Sequence, residues 1–444
     1  MPSHIPRLLK LAGPMILSAS AITIMQIIDA LVLSLHSSVS IAAIGPSGMA
    51  VILFQGFLFG TAGYAGTFVA HNHGRGDATG VLTATWLGIY TATGAGLISL
   101  LVAWPLAQIF LVLGHDAEVA RAERIYFLIC MAGSFFPVLN AALAGWLSGI
   151  ARAVVVTWVT FFSLIINAVL SYGLVLGKWS LPGMGIAGAA IATVISQAVA
   201  SALYLLLFAK AKGFAKQIAR TCNRAELRYF LSMAIPLGLR ISGELAAWTF
   251  FLVIAGRLGT AELAASGIAF RINGIAFFPA LGLGQAAGIL AGHARGAGRD
   301  DDVPAITWQS LLVCELWMLV MALVFAFYPG QLVALFAGSG AEAAEIIKIG
   351  IITMRFVAFY CLFDAANVVI SSILAAVGET SWLARTFFIC TCVFMVLLWG
   401  VDLFMPDLIL EWALATAFVF ITAVLWFFRF KKGVWRQQQV LRQS

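Results

Sequence analysis

Seven acidic or basic side chains stand well inside long apolar runs of this 444-residue chain, away from the ends of those runs. They are Asp29, Glu244, Glu315 and Asp364, with Arg240, Arg271 and Arg355. A charge at bilayer depth costs about 2.5–3.5 kcal/mol or more, so each needs a reason to be there. A carboxylate in such a place can take up and release a proton, or hold Na+ with help from nearby oxygens. Tyr360, Asp364, Asn367 and Ser371 recur at a spacing that puts all four on one helical face. That stripe joins a carboxylate to hydroxyl and amide oxygens, and the Tyr360 ring adds a cation–π surface. The plainer reading is hydrogen bonding that glues helices together. Arg240 and Glu244 stand one turn apart, as in a local salt bridge. The sharper reading is a carboxylate whose proton occupancy makes and breaks that pairing. Gln26 and Asp29 are three residues apart, and Asp29 has no cation within one turn. Thr160, Ser163, Asn167 and Ser171 form another stripe, of which Asn167 is the most informative member. Glu315, Arg271 and Arg355 have no such company and read as structural.

The elements that must carry these residues follow from composition. The chain is 62% hydrophobic and 10% charged, with mean hydropathy +1.01. Soluble domains are about 45–50% apolar and about 25% charged. Helices apolar on most faces need the bilayer as part of their solvent. A spanning helix takes roughly 20 apolar residues. Twelve runs qualify, over 8–35, 41–71, 78–113, 119–147, 154–176, 185–209, 229–257, 262–293, 303–336, 342–376, 382–403 and 408–430. The first is too long for a cleavable signal segment and reads as a retained helix. Pro14, Pro137, Pro236 and Pro279 fall within runs, which a membrane tolerates where neighbours satisfy the freed carbonyls. The expected fold is an all-α polytopic membrane protein of 12 transmembrane helices.

Shifting the sequence by half its length exposes an internal repeat. Pro14 falls on Pro236, and Gly45 on Gly267. Gly60 falls on Gly282, and His71, Gly74 and Gly76 fall on His293, Gly296 and Gly298. The result is two parallel six-helix lobes, 1–209 and 229–430. A basic linker, 210–228, joins them, and a basic tail, 431–444, follows. Two such lobes suggest a cleft between them, of the kind secondary transporters use.

The net charge of +7 belongs to topology rather than to nucleic acid. Placing the N-terminus in the cytoplasm puts most positive residues there, including the linker's Lys210, Lys216 and Arg220 and the tail's Lys431 and Lys432. Both termini are then cytoplasmic. No Walker motif, nucleophile elbow or metal-ligand spacing appears, so no enzyme and no cofactor is expected. The six cysteines read as small core residues. His71-Asn72-His73, beside glycine and arginine, reads as a solvated turn.

Several stretches together resemble the multidrug and toxic compound extrusion (MATE) family. LAGPMILSASAITIMQIIDALVLS is similar to that family's opening helix, with its proline and later aspartate. IAAIGPSG and LAASGIAF resemble its paired second and eighth helix starts. GIAGAAIATVISQ resembles its sixth helix, AIPLGLRISGELAAWTFFLVIAGRLGT its seventh, and CLFDAANVVISSILAAVGET its tenth. The resemblance implies two six-helix bundles around a cleft that opens to alternate sides. It implies export of organic, often cationic and amphipathic compounds in exchange for H+ or Na+. On that resemblance Asp29 is tied to proton coupling, and Glu244 and Asp364 to cation binding, with Tyr360 beside them. Asn167 stands beside the first-lobe site. Ser171 occupies a position where some members carry an aspartate, which weakens a purely first-lobe proton mechanism. Gln26, Arg240, Asn367 and Ser171 are expected as polar support, with Na+ possible at Glu244 and Asp364.

The remaining expectations are small organic substrates, lipid contact, no nucleic acid, a monomer, and a bacterial inner membrane. Two alternatives stay open. A lipid-linked oligosaccharide flippase would use Arg240, Arg271 and Arg355. A membrane-embedded lipid transferase would need a nucleophile or base that the sequence does not show.

Overall fold

The computed structural model describes residues 3–211, 223–338, 340 and 342–441. Most of the expected linker and the last three residues of the tail lie outside them. The first half contains α1 (Ile5–Ser34), α2 (Ser38–Gly63), α3 (Ala65–Arg75) and α4 (Ala78–Ala107). It continues with α5 (Ala117–Ala132), α6 (Phe135–Gly149), α7 (Ala153–Leu176) and α8 (Ile186–Ala209). The second half contains α9 (Arg224–Leu258), α10 (Thr260–Gly296), α11 (Asp302–Phe327) and the short α12 (Pro329–Ala334). It ends with α13 (Ala343–Ala376), α14 (Thr380–Phe404) and α15 (Leu408–Lys431). Among the described residues, 11 helices are long and apolar enough to cross a membrane, or 12 if the bent pair α5 and α6 is one span.

Local chemistry sets the ends. Ser37 accepts from the Ser40 N–H at 3.1 Å and starts α2. Asp77 accepts from the Gly80 N–H at 2.9 Å and starts α4. Gly76 ends α3 at φ 76°, in the left-handed region that glycine enters without steric cost.

Three sequence expectations change. The fourth span is two helices bent by 46°. Pro137 has no N–H to return to the Gly133 carbonyl, so the ladder lapses there. The Phe136 N–H takes that carbonyl instead, at 3.1 Å. The ninth run stops at Phe327 and restarts at Pro329. His71-Asn72-His73 is not a solvated turn. It lies on α3, with His71 and Asn72 buried and only His73 exposed. The Asn72 amide donates to the Phe68 carbonyl at 2.9 Å, which lets a polar side chain sit inside.

The described chain divides into two compact units. The first runs from Leu17 to Gly238. The second takes the chain up to Ile16 and from Leu239 onward. The boundaries fall two residues after Pro14 and Pro236 and are 222 residues apart, the offset of the sequence repeat. The repeat is also visible in α8 and α15, whose first and last residues are separated by that same offset. Each unit thus includes the start of a helix that continues in the other. In the second unit, α1 passes Gly282 of α10 so closely that an added Cβ would sit 3.0 Å from the Ile16 backbone nitrogen. In the first unit, Gly238 of α9 meets the Phe57 carbonyl and Thr61 of α2. Glycine at these crossings lets backbones approach, as at membrane helix contacts generally. Gly238→Ala is expected to cost about 1–3 kcal/mol through overpacking. A lowered melting temperature in detergent would register it; an unchanged one would show the crossing to be loose.

In the first unit, Val51, Phe110, Phe127, Met131 and Ala190 close a core around α2, α5 and α8. In the second unit, Trp412 packs edge-on to Phe251 at 5.1 Å, and Phe270 lies 5.5 Å from it. The tail also belongs to this unit. Arg295 donates to the carbonyls of Trp435 and Gln438 at 2.7 and 2.8 Å. Trp435 stacks on Phe430 at 5.7 Å.

Candidate functional site

The first unit gathers polar groups around Asp29, which is 6% exposed near the end of α1. Ser171 of α7 donates its hydroxyl to Asp29 Oδ1 at 2.6 Å. Asn167, one turn earlier on α7, donates to Thr193 Oγ1 of α8 at 3.3 Å. The Asn167 and Thr193 side chains also lie within bonding reach of the Asp29 carboxylate. Asn167 Oδ1 is buried with no hydrogen-bond partner. An acceptor left bare in a buried place costs free energy, and it is ready for a cation or a water. Gln26, three residues before Asp29, is exposed.

Helix α7 shows what the sequence stripe does. Ser163 donates to the Ser196 carbonyl of α8 at 3.0 Å, and Thr160 turns back to Val156 of its own helix at 2.9 Å. Those two bonds are structural. Asn167 and Ser171, further along the same face, reach the carboxylate.

The second unit holds a different arrangement. Arg240 Nη1 and Glu244 Oε2 on α9 are 3.6 Å apart, a long ion pair with half-buried partners. Arg240 also lies 5.8 Å from the centre of the Phe387 ring. Asp364 of α13 is half-buried, and Glu244 is near enough for its charge to act on it. Tyr360, one turn before Asp364, is 2% exposed, with its ring 6.4 Å from Trp248 of α9. Asn367 donates to the Val419 carbonyl of α15 at 2.9 Å. Its Oδ1 is buried without a partner, as in Asn167. Ser371 is buried. Among the described residues no group of three His, Cys, Asp or Glu could hold a metal ion.

The structure therefore brings Asp29, Asn167 and Ser171 together in one unit; in the other it pairs Arg240 with Glu244 and sets Glu244 near Asp364, while Tyr360 packs on Trp248 and Asn367 bonds to α15. Thr193 was not singled out from sequence; its only signal is a lone threonine in the small-residue run GIAGAAIATVISQ. Glu315 is half-buried, and Arg271 and Arg355 are exposed. No ion pair among the described residues includes any of these three.

Fold and site define a multi-span membrane protein built on a repeat, with carboxylates and bare amide oxygens set inside each half. The MatE family model matches residues 14–173 and 236–399, two segments that begin at the repeat offset. The chain belongs to the MatE family. It is 28% identical over 399 residues to the probable multidrug resistance protein NorM of Rhizobium meliloti (strain 1021), covering 86% of this chain and 82% of that one. It is 27% identical over 366 residues to the NorM protein of Agrobacterium fabrum (strain C58 / ATCC 33970), covering 78% of each. Its fold matches an outward-facing multidrug resistance transporter of the MATE family at a TM-score of 0.87, with 19% identity and 97% and 96% of the two chains covered. It also matches a MOP superfamily transporter from Pyrococcus furiosus at 0.83, with 19% identity over 97% and 96% of the two chains.

Proposed function

We propose that this protein is a secondary active transporter that exports organic, often cationic and amphipathic compounds by antiport with H+ or Na+. The observation that carries this reading is that each half of the repeat holds a carboxylate inside an apolar helix, Asp29 and Asp364, and a buried asparagine oxygen without a hydrogen bond, Asn167 and Asn367. Such a group changes its charge or its partners when an ion binds. A ligand shifts a conformational equilibrium only through its different affinities for the two states. An ion that binds Asp29, or Glu244 and Asp364, more tightly in one arrangement would drive the protein toward that arrangement. Alternation of access follows if the other arrangement favours substrate. The family and the multidrug resistance names of its relatives support this reading. The setting is a bacterial inner membrane, with a monomeric chain and both termini cytoplasmic.

Efflux of a fluorescent organic cation from proteoliposomes, under an imposed pH or Na+ gradient, tests the proposal. Acceleration by one gradient identifies the ion. Efflux that ignores both gradients sinks the antiport reading. The exposed, unbridged Arg271 and Arg355 favour a second reading, movement of an anionic lipid headgroup. Headgroup translocation in the same vesicles, without cation efflux, would select it.

A further inference from the structure

One carboxylate outside both groups has no bonding partner. Glu411 sits in the first turn of α15 and is 0% exposed. Both of its carboxylate oxygens are buried without a hydrogen bond. The next residue, Trp412, is fully buried among Phe251, Phe270 and Phe356, so the start of this helix is packed against its neighbours.

The charged groups that face Glu411 are Asp407 on its own element and Asp402 on α14. Neither can serve as a donor. Asp407 is committed to the helix start, where its Oδ1 accepts from the Ile409 and Leu410 N–H groups at 2.6 and 3.2 Å. Asp402 is committed to Arg257 of α9, 2.9 Å away. Arg257 is thereby already engaged. Ionising Glu411 would add a negative charge near two carboxylates, with no donor to receive it. The helix N-terminus favours negative charge. That effect is small beside the cost of a buried carboxylate without partner or hydrogen bond.

A metal ion is a poor alternative occupant. Hard cations need several oxygens in a shell. No such group of three acidic or metal-ligating side chains exists among the described residues.

We propose that Glu411 is a proton-binding site, carrying H+ as a neutral carboxyl group in the first turn of α15. It is separate from the carboxylates at Asp29, Glu244 and Asp364. It also has no counterpart in the first half, because the repeat offset places Ala189 at the matching position of α8. With Asp402 and Asp407 nearby and no donor on either oxygen, the proton stays on Glu411.

Infrared spectroscopy of the full-length protein in lipid tests this without requiring transport, so its failure leaves the exporter reading untouched. The expected result is a protonated-carboxyl stretch at neutral pH in the parent that is missing from Glu411→Gln. Superimposable spectra in that region overturn the proposal. Glu411→Asp provides a second variant should Glu411→Gln fail to fold. It keeps a carboxyl group in the same place, so the protonated-carboxyl band should persist at a shifted frequency. A band unmoved in Glu411→Asp also overturns the proposal.

Discussion

Asp29→Asn is expected to slow gradient-driven efflux by about tenfold or more, a loss of about 1.4 kcal/mol or more of coupling. The substitution keeps shape and keeps an acceptor for the Ser171 hydroxyl, which reaches Asp29 Oδ1 at 2.6 Å. It removes the ability to change charge. An antiporter needs the ion to bind one state more tightly than the other, and moving an equilibrium from 1:99 to 99:1 takes a preference of about 10⁴-fold. An amide at this position offers a proton no preference at all. The fold should survive, since Asn167 and Thr193 still have polar partners, and an unchanged melting temperature would verify that. Glu244→Gln and Asp364→Asn belong in the same experiment. If only these two uncouple efflux, the second unit carries the ion. Parent-like transport by all three would remove carboxylate coupling as the mechanism.

Arg429→Met should be the most damaging single change to stability described so far. Glu379, at the start of α14, has a side chain 1% exposed. Arg429 of α15 donates to its Oε2 from Nε at 3.1 Å and from Nη2 at 2.7 Å. The guanidinium also lies 4.7 Å from the centre of the Trp382 ring. Taking away the arginine strands a buried carboxylate, at a cost of about 3–5 kcal/mol. Position at a helix start offsets this by about 0.3–1 kcal/mol, too little to change the outcome. The double variant Glu379→Gln, Arg429→Met should recover much of the loss, because no charge is then left uncompensated. Thermal unfolding in detergent measures both. A single variant as stable as the parent would mean that water reaches Glu379.

The spans were legible because helices apolar on most faces announce themselves in composition, and the repeat because its prolines and glycines stay in register. The bend before Pro137 was not. Sequence places the proline, but the ladder lapses at Gly133 and Ser134, on the side of the missing N–H. The carboxylates of the candidate site were legible by their cost in an apolar run. Their partners were harder to find. Ser171 was noted on its own stripe, yet only the approach of α1 to α7 shows that it bonds Asp29. Thr193 looks in sequence like any packing threonine. Glu379 and Glu411 stand at helix starts, where acidic residues are commonplace and cheap, and burial by neighbouring helices is what makes them consequential. The exchange of helix starts between the units relative to the lobes 1–209 and 229–430 also left no mark on composition, although the two prolines flank it.

That exchange has a consequence for biosynthesis. Domains generally form in the order in which they leave the ribosome. Here the first unit needs residues up to Gly238, so it cannot be completed when α8 ends at Ala209. It must wait until α9 has begun. The opening residues wait longer still, since Ile16 finds its place against Gly282, made after more than half of the chain. Translation of this protein therefore passes through a long stage in which an early helix sits in the membrane with its first turns unclaimed. A chaperone or insertase that shelters such a helix would act during that interval.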